Sequence, residues 1–360
     1  MISVHGLCRA LAALGHEVSV FTTNVDGDRD SAVPLETPVD MDGVRVHYFA
    51  PRSRMLPARL ARRLYVSEGM SGALRQFANT FDVMHLHGVF LWPTWAGART
   101  ARRAGVPYVL SPRGMLVPEL IRAKSRVAKM LWVTAIEKRN LLNAGLVHFT
   151  SHREKVDASR AALTIPRAVV VPNGIELRRR PAVERDPATL LVLGRINWKK
   201  RIDSVIDALP ALPGVRLIIA GNDEESLTPR LREQAERLGV ADRVEFHGPI
   251  FGDAKFELLA RATIVVQMSI SENFGNAVLE ALMMATPVIV SPGVGLADDV
   301  AAAAAGVVTD DLVSAARSML ADPARRAEMG RKGRALVERS FTWPMVAEQM
   351  ERAYQSVVKR

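Results

Sequence analysis

Short continuous runs of aliphatic and β-branched residues punctuate the chain at 17–22, 44–49, 82–86, 107–110, 146–150 and 168–171. They resume at 189–193, 215–220, 243–246, 263–267, 287–291 and 306–308. Stretches with apolar residues at helical spacing lie between them, among them 57–77, 92–104 and 124–143. The runs are too short for helices and do not alternate apolar with polar residues, so they predict strands buried on both faces. Strand–helix alternation of this kind predicts parallel sheets covered by helices on both sides, an α/β fold. The pattern falters at Val171-Pro172-Asn173-Gly174 and through 178–181, where proline, glycine and three successive arginines suit no helix or strand interior. Two doubly wound, Rossmann-like domains are therefore expected, 1–172 and 173–342, with a last helix at about 343–360 packing back on the first. Ligands of such sheets bind beyond the carboxyl ends of the strands, so an inter-domain cleft is the expected site.

A length of 360 residues with 48% hydrophobic content suits two cores. The single cysteine, Cys8, cannot form a disulfide within the chain, which fits a reducing cytoplasm. No apolar run reaches the roughly 18 residues of a membrane span, and no basic segment leads into an apolar run at the N-terminus. Charge is unevenly spread: residues 1–172 carry 23 Lys and Arg against 13 Asp and Glu, whereas 173–360 carry 25 of each. The excess clusters at Arg52, Arg54, Arg59, Arg62 and Arg63 and at Arg122, Lys124, Arg126 and Lys129. A solvated surface or contact with an anionic membrane or substrate both account for it. Aromatics do not interleave with the basic residues, which argues against nucleic acid.

Candidate chemistry concentrates at 267–291. A strand ends, a loop carries Ser271-Glu272-Asn273-Phe274-Gly275, a helix starts near Asn276 and contains Glu280, and a strand follows Pro287. The helix start offers unpaired N–H groups and a partial positive charge, suited to a diphosphate. Gly275 permits close backbone approach. Glu280 can accept from a ribose diol and Glu272 from sugar hydroxyls, although a cap and a surface charge would give the same spacing. Asp26-Gly27-Asp28-Arg29-Asp30 lacks the glycine and glutamate of a calcium loop and reads as solvated loop. His85 and His87 share a strand face, without an evident third metal ligand. No Gly-x-Gly-x-x-Gly or phosphate-loop pattern is present, which excludes the usual nicotinamide enzymes and nucleoside triphosphatases.

The run Ser271 to Gly275, with Glu280-Ala281-Leu282 and Thr286-Pro287-Val288, resembles the signature of glycosyltransferase family 4, the group 1 transferases of the GT-B fold. Leu193-Gly194-Arg195 through Lys200 is similar to that family's Gly-Arg…Lys-Gly segment, with Arg201 replacing the final glycine. The resemblance extends over nearly the whole chain. It implies two facing Rossmann-like domains, the second binding a nucleotide-sugar donor and the first a glycan or lipid-linked acceptor. It also implies a retaining, hexosyl-type transferase that needs no metal or other cofactor, cytoplasmic or peripheral on the inner membrane face, in surface polysaccharide synthesis. By resemblance Glu272 contacts the donor sugar, Glu280 the ribose, and Arg195 and Lys200 the leaving diphosphate. Asn273, Phe274, Gly275 and Asn276 line the donor site, and Ile250 lies where the family reads the base through backbone groups. His87 and Arg113 are assigned to substrate on the first domain. Arg113 stands where many members have histidine and suits a donor phosphate or an acceptor carboxylate. A nucleotide-sugar epimerase and an inactive donor-binding remnant are the alternative readings. The family's first strand and glycine turn have no counterpart before the first helix at 3–14. The first sheet is therefore expected to show a break, and the biological start to lie about 15–25 residues upstream.

Overall fold

The computed structural model describes residues 2–117, 132–161 and 163–358. The basic positions Arg122, Lys124, Arg126 and Lys129 lie outside them. The chain divides into two compact units: Met1–Gly174 with Trp343–Arg360, and Ile175–Thr342.

The strands of the first unit are β1 (Ser19–Thr23), β2 (Val25–Asp26), β3 (Arg29–Asp30), β4 (Pro38–Met41), β5 (Val44–Phe49), β6 (Met84–His87), β7 (Tyr108–Ser111), β8 (Leu146–Phe149) and β9 (Ala168–Val170). Among the described residues they form a parallel β6-β7-β8-β9 sheet, a mixed β1-β5-β4 sheet and a β2-β3 ribbon. A break of the expected kind is thus present, since no ladder joins β1 to β6. β7 and β8 are buried at every position, as their continuous apolar runs require.

Two hairpins escape the apolar-run reading. Asp42 and Gly43 take φ of 57° and 80° between the antiparallel β4 and β5, the left-handed pair that a two-residue Asp-Gly turn demands. The 26–30 stretch is not loose loop but the β2–β3 hairpin, turning at Gly27 with φ 56°. Arg62 clamps it by pairing with Asp30 and donating to the carbonyls of Gly27 and Arg29 at 2.9 and 2.6 Å. One member of the first basic cluster is therefore structural.

The helix Trp343–Val358 packs on Ile2–Ala13 through Leu7, Ala10 and Leu11 against Val346, Ala347, Met350, Ala353 and Val357. Trp343 leaves no room beside two glycines: a Cβ at Gly6 or Gly174 would fall 2.2 or 2.4 Å from its ring. That contact explains the glycine of the Asn173-Gly174 pair.

The second unit contains β10 (Thr189–Leu193), β11 (Arg216–Ala220), β12 (Val244–Gly248), β13 (Ile264–Gln267), β14 (Val288–Val290) and β15 (Gly306–Val308). They form one all-parallel sheet in the order β12-β11-β10-β13-β14-β15. Apolar residues pack on both faces: Leu191, Leu193, Val265, Val288 and Val290 on one, Leu190, Val192, Ile264, Val266 and Ile289 on the other. This doubly wound order reverses direction between β10 and β13.

Candidate active site

At that reversal the helices that follow β10 and β13 pack on opposite faces of the sheet, the place where sheets of this kind open a ligand crevice. The segment after β10 begins at Gly194, with φ 138°. A Cβ on Gly221, at the end of β11, would lie 1.8 Å from the Gly194 carbonyl oxygen, so only glycine fits there. A short turn, Trp198–Lys200, then leads through Arg201 into the helix Ile202–Ala208. Arg201, standing where the family pattern has glycine, adopts φ 50° and ψ 44°. It accepts a left-handed backbone at a cost of about 1–2 kcal/mol rather than altering the turn.

The segment after β13 is fastened to this turn by Ile270 N–H donating to the Lys199 carbonyl at 2.8 Å. It is fastened on its other side as well: Glu272 N–H donates to the Gly293 carbonyl at 2.9 Å, and Gly295 N–H to the Glu272 carbonyl at 2.8 Å. A Cβ on Gly293 or Gly295 would come within 2.3 Å of the Ile270 or Asn273 carbonyl oxygen. Sequence reasoning passed over both glycines, although Ser291-Pro292-Gly293-Val294-Gly295 directly follows a predicted strand.

Between these fixed segments the Lys200 ammonium pairs with the Glu272 carboxylate, with side chains 13% and 24% exposed. Two residues 72 positions apart thus form one unit within reach of solvent. Gly275, at φ 107°, caps the helix Asn276–Met283, and no side chain caps its first turn. Asn273 is half-buried and Asn276 exposed at the helix start. Phe274 departs from the expectation: its ring is 2% exposed and meets Phe341 edge-on at 6.0 Å in the core. The aromatic side chain anchors the loop and is not available to a ligand. Ile250 likewise turns its side chain toward the core, leaving backbone as its means of contact.

Glu280, in the second turn of the helix, accepts from Lys255 Nζ at 2.7 Å, and the same ammonium lies 4.7 Å over the Phe256 ring. Lys255 was not foreseen, because it comes from another helix, Gly252–Arg261, with no local motif. We expect Lys255→Ala to free the Glu280 carboxylate to swing and to weaken donor binding about 3–10-fold, with Glu280→Ala weakening it further. Calorimetric titration of donor checks this, and unchanged affinity in both variants would remove Glu280 from the ribose role. Arg195 is not drawn to the Lys200–Glu272 pair. It is exposed and forks onto Glu224 at 2.9 and 3.2 Å, a surface contact worth about 0–1 kcal/mol that a phosphate could displace.

In the first unit, His87 and Arg113 do meet. Arg113 donates to His87 Nδ1 at 3.2 Å and to Asn173 Oδ1 at 2.8 Å. Arg113 and Gly114 both have positive φ, 55° and 75°. Glu154 secures this turn, accepting from Gly114 N–H at 2.5 Å and from the Thr150 N–H and hydroxyl at 2.7 Å each. Burial raises the Glu154 pKa. Its sequence signal was the Ser151-x-x-Glu154 capping pattern, and Ser151 does cap the helix His152–Ser159. Behind Arg113, hydrogen bonds run from Tyr354 to His85 (2.7 Å), His85 to Ser111 (2.7 Å), Ser111 to His148 (2.7 Å) and His148 to the Val171 carbonyl (2.8 Å). The His85 and His87 rings lie 4.1 Å apart.

A parallel sheet with a lysine, two glutamates and an uncapped helix start at its reversal point has the build of a GT-B glycosyltransferase. Residues 2–174 match the family model described as glycosyl transferase 4-like domain, and residues 175–336 the one described as glycosyl transferases group 1. The chain belongs to the group 1 glycosyltransferases. Glycogen synthase of Mycobacterium tuberculosis is 29% identical to it over 98% of this chain and 89% of that protein. Among solved structures, sucrose-phosphate synthase from Thermosynechococcus elongatus superposes with a TM-score of 0.82 at 22% identity, covering 99% of this chain and 93% of that one. Anabaena HepE in complex with UDP-glucose does so with a TM-score of 0.69 at 19% identity, covering 88% and 87%.

Proposed function

We propose that the chain transfers a hexose from a nucleotide-diphosphate sugar to a glycan or lipid-linked acceptor, with retention at the anomeric carbon, in the synthesis of a surface polysaccharide. The observation that carries this reading is the Lys200–Glu272 pair beside the open first turn of Asn276–Met283. The relatives' names, glycogen synthase and sucrose-phosphate synthase, and the UDP-glucose held by HepE support a sugar donor of this class.

In the proposed reaction the bond between sugar C1 and the diphosphate oxygen breaks, and its electron pair stays with the diphosphate. An acceptor hydroxyl oxygen bonds to C1 on the face that the diphosphate leaves, and its proton passes to the departing diphosphate oxygen. Lys200 and the helix start face the charge that develops on the diphosphate, and Arg195 joins them once the phosphate displaces Glu224. Arg195 brings a fork suited to phosphate oxygens, Lys200 a point charge. Glu272 accepts from sugar hydroxyls and fixes the ring, while Glu280, steadied by Lys255, accepts from the ribose. The positive charge comes from the protein itself, so transfer is expected to proceed at an unchanged rate in the presence of a chelator.

The test is a panel of UDP-, ADP- and GDP-sugars, scored by the rise in melting temperature and then by release of the nucleoside diphosphate. A bound donor raises stability by mass action. Binding without release, with acceptors supplied, would reduce the chain to a donor-binding protein. Conversion of the donor sugar without transfer would make it an epimerase.

The first unit is proposed to rest on an anionic membrane. Residues 52–63 expose Arg52, Arg54, Arg59 and Arg63 beside Met55 and Leu60, which are 91% and 40% exposed. Each such cation adds about 1 kcal/mol near an anionic surface. No helix among the described residues is long and apolar enough to cross a membrane. Binding to vesicles containing anionic lipid is expected, fading as salt shortens the screening length. Reversing Arg52, Arg59 and Arg63 to glutamate should abolish it, and equal binding to neutral vesicles would rule out the electrostatic contact.

A further inference from the structure

We infer that Arg113 and His87 form a receptor for an acidic group, a phosphate or carboxylate, carried by the sugar acceptor; the inference rests on the transfer reading above.

The direction of the hydrogen bonds behind these residues is determined at one end. The Val171 carbonyl can only accept, so His148 Nε2 carries the proton and its Nδ1 accepts. Ser111 therefore donates its hydroxyl to His148 Nδ1 and accepts from His85 Nε2–H. His85 Nδ1 then accepts the Tyr354 hydroxyl. Each ring in this sequence is neutral and both of its nitrogens are occupied. Burial, followed by the charge of Arg113, holds His148 down to about 3, and burial likewise holds His85 well below its ordinary value. Cys8 nearby is a neutral thiol, raised to about 11 by burial. The cluster thus spends its polar groups on itself, and among the described residues Arg113 is left as its cation.

Arg113 has no carboxylate in ion-pair range among the described residues. Glu154, which acts on it electrostatically, is occupied by its three donors. The two acceptors that Arg113 does reach, Asn173 Oδ1 and His87 Nδ1, are neutral. Because Nδ1 accepts, the His87 proton sits on Nε2, which meets no described partner. Among the described residues, one N–H remains without a partner on each of the two terminal guanidinium nitrogens. These N–H groups and His87 Nε2–H are all donors, and an acceptor-only group of negative charge satisfies them. A diphosphate of the donor has the same chemistry, but its cations, Lys200 and Arg195, are supplied by the second unit. The first unit offers this arginine for a different anion.

The experiment follows the histidine ring resonances of the full-length, ¹⁵N-histidine-labelled chain while inorganic phosphate is added. Phosphate is expected to shift the His87 Nε2 signal saturably, leaving His148 and His85 still as internal reporters of the fold. Arg113→Gln should weaken that response at least about tenfold, and Arg113→Lys, which keeps the charge without the fork, by a smaller factor. A wild-type His87 signal that phosphate does not move overturns the receptor, as does an undiminished response in Arg113→Gln. The titration is repeated with saturating UDP, ADP or GDP. Persistence of the phosphate shift with nucleotide bound supports an acceptor group. Its loss would assign Arg113 to the donor diphosphate and overturn the inference. Failure of all three nucleotides to bind would overturn the transfer reading, and with it the assignment to an acceptor, whatever phosphate does to His87.

Discussion

Glu272→Ala is expected to lower turnover by about 10²–10³-fold, the loss typical of a group that acts on the charge or geometry of the transition state. Lys200→Ala should cost a similar factor, because it removes the ammonium proposed to face the departing diphosphate. The two effects are expected to be non-additive. Each carboxylate or ammonium left behind sits unpaired in a crevice where it is 13–24% exposed, so each single variant already disrupts the unit. The double variant should therefore lose far less than the product of the two factors. Stability should change by on the order of 1 kcal/mol, because the pair retains solvent contact and neither side chain fills a core cavity. Turnover in steady state and melting temperature, measured on the same four proteins, check both statements. Wild-type turnover in Glu272→Ala would remove the residue from the sugar site. Strict multiplicativity would show that the ion pair has no functional meaning.

Glu154→Ala is expected to cause the largest loss of stability. The carboxylate receives three donors, the Thr150 N–H and hydroxyl and the Gly114 N–H, within a buried turn. Each donor left unsatisfied costs about 1–3 kcal/mol, and a combined loss of about 3–5 kcal/mol is expected. At roughly 2–4 °C per kcal/mol for a unit of this size, the first unit should melt about 6–20 °C lower. Calorimetry is the suitable measurement, because the second unit contributes none of these groups and its transition should stay in place. A fall of less than 1 °C, or an equal shift of both transitions, would contradict the assignment. The magnitude differs for Glu154→Gln, which retains an acceptor oxygen and removes a carboxylate whose ionisation burial already opposes. A smaller loss is expected there.

The second unit was largely legible, because its inner strands β10, β11, β13 and β14 are buried on both faces and read as apolar runs, whereas the edge strands β12 and β15 are only partly buried. The positions of Glu272, Gly275 and Glu280 followed from the same strand–loop–helix order. What the chain pattern did not reveal was pairing across distance. Lys255 reaches Glu280 from a separate helix, and Arg195 turns to Glu224 rather than to the site. The Phe274 ring points inward although Asn273 beside it is half-buried and Asn276 is exposed, since a loop has no fixed periodicity from which side-chain direction follows. β2, β3 and β4 were missed because they are short and largely exposed and carry no apolar run. Their turn residues, Gly27 and Asp42-Gly43, were the available signal. The basic cluster at 52–63 illustrates a further limit: composition counts Arg62 with its neighbours, whereas geometry uses it to close a hairpin.

The discontinuity of the first unit has a consequence for the order in which the protein folds. The second unit is one uninterrupted segment, and all six strands of its sheet exist once residue 308 has been synthesised. The first unit cannot close the apolar cluster around its first helix until Trp343–Val358 arrives, because Val346, Met350 and Val357 supply one side of the packing around Leu7 and Leu11, whereas the cluster around Phe49, Tyr108 and Phe149 does not need it. Contacts spanning more than 330 residues carry a large loop-closure entropy and form late. Until then part of the apolar face of the first helix is uncovered and exposed to aggregation. On the ribosome, the later-encoded unit is thus poised to mature first, and the earlier-encoded one waits for Trp343–Val358.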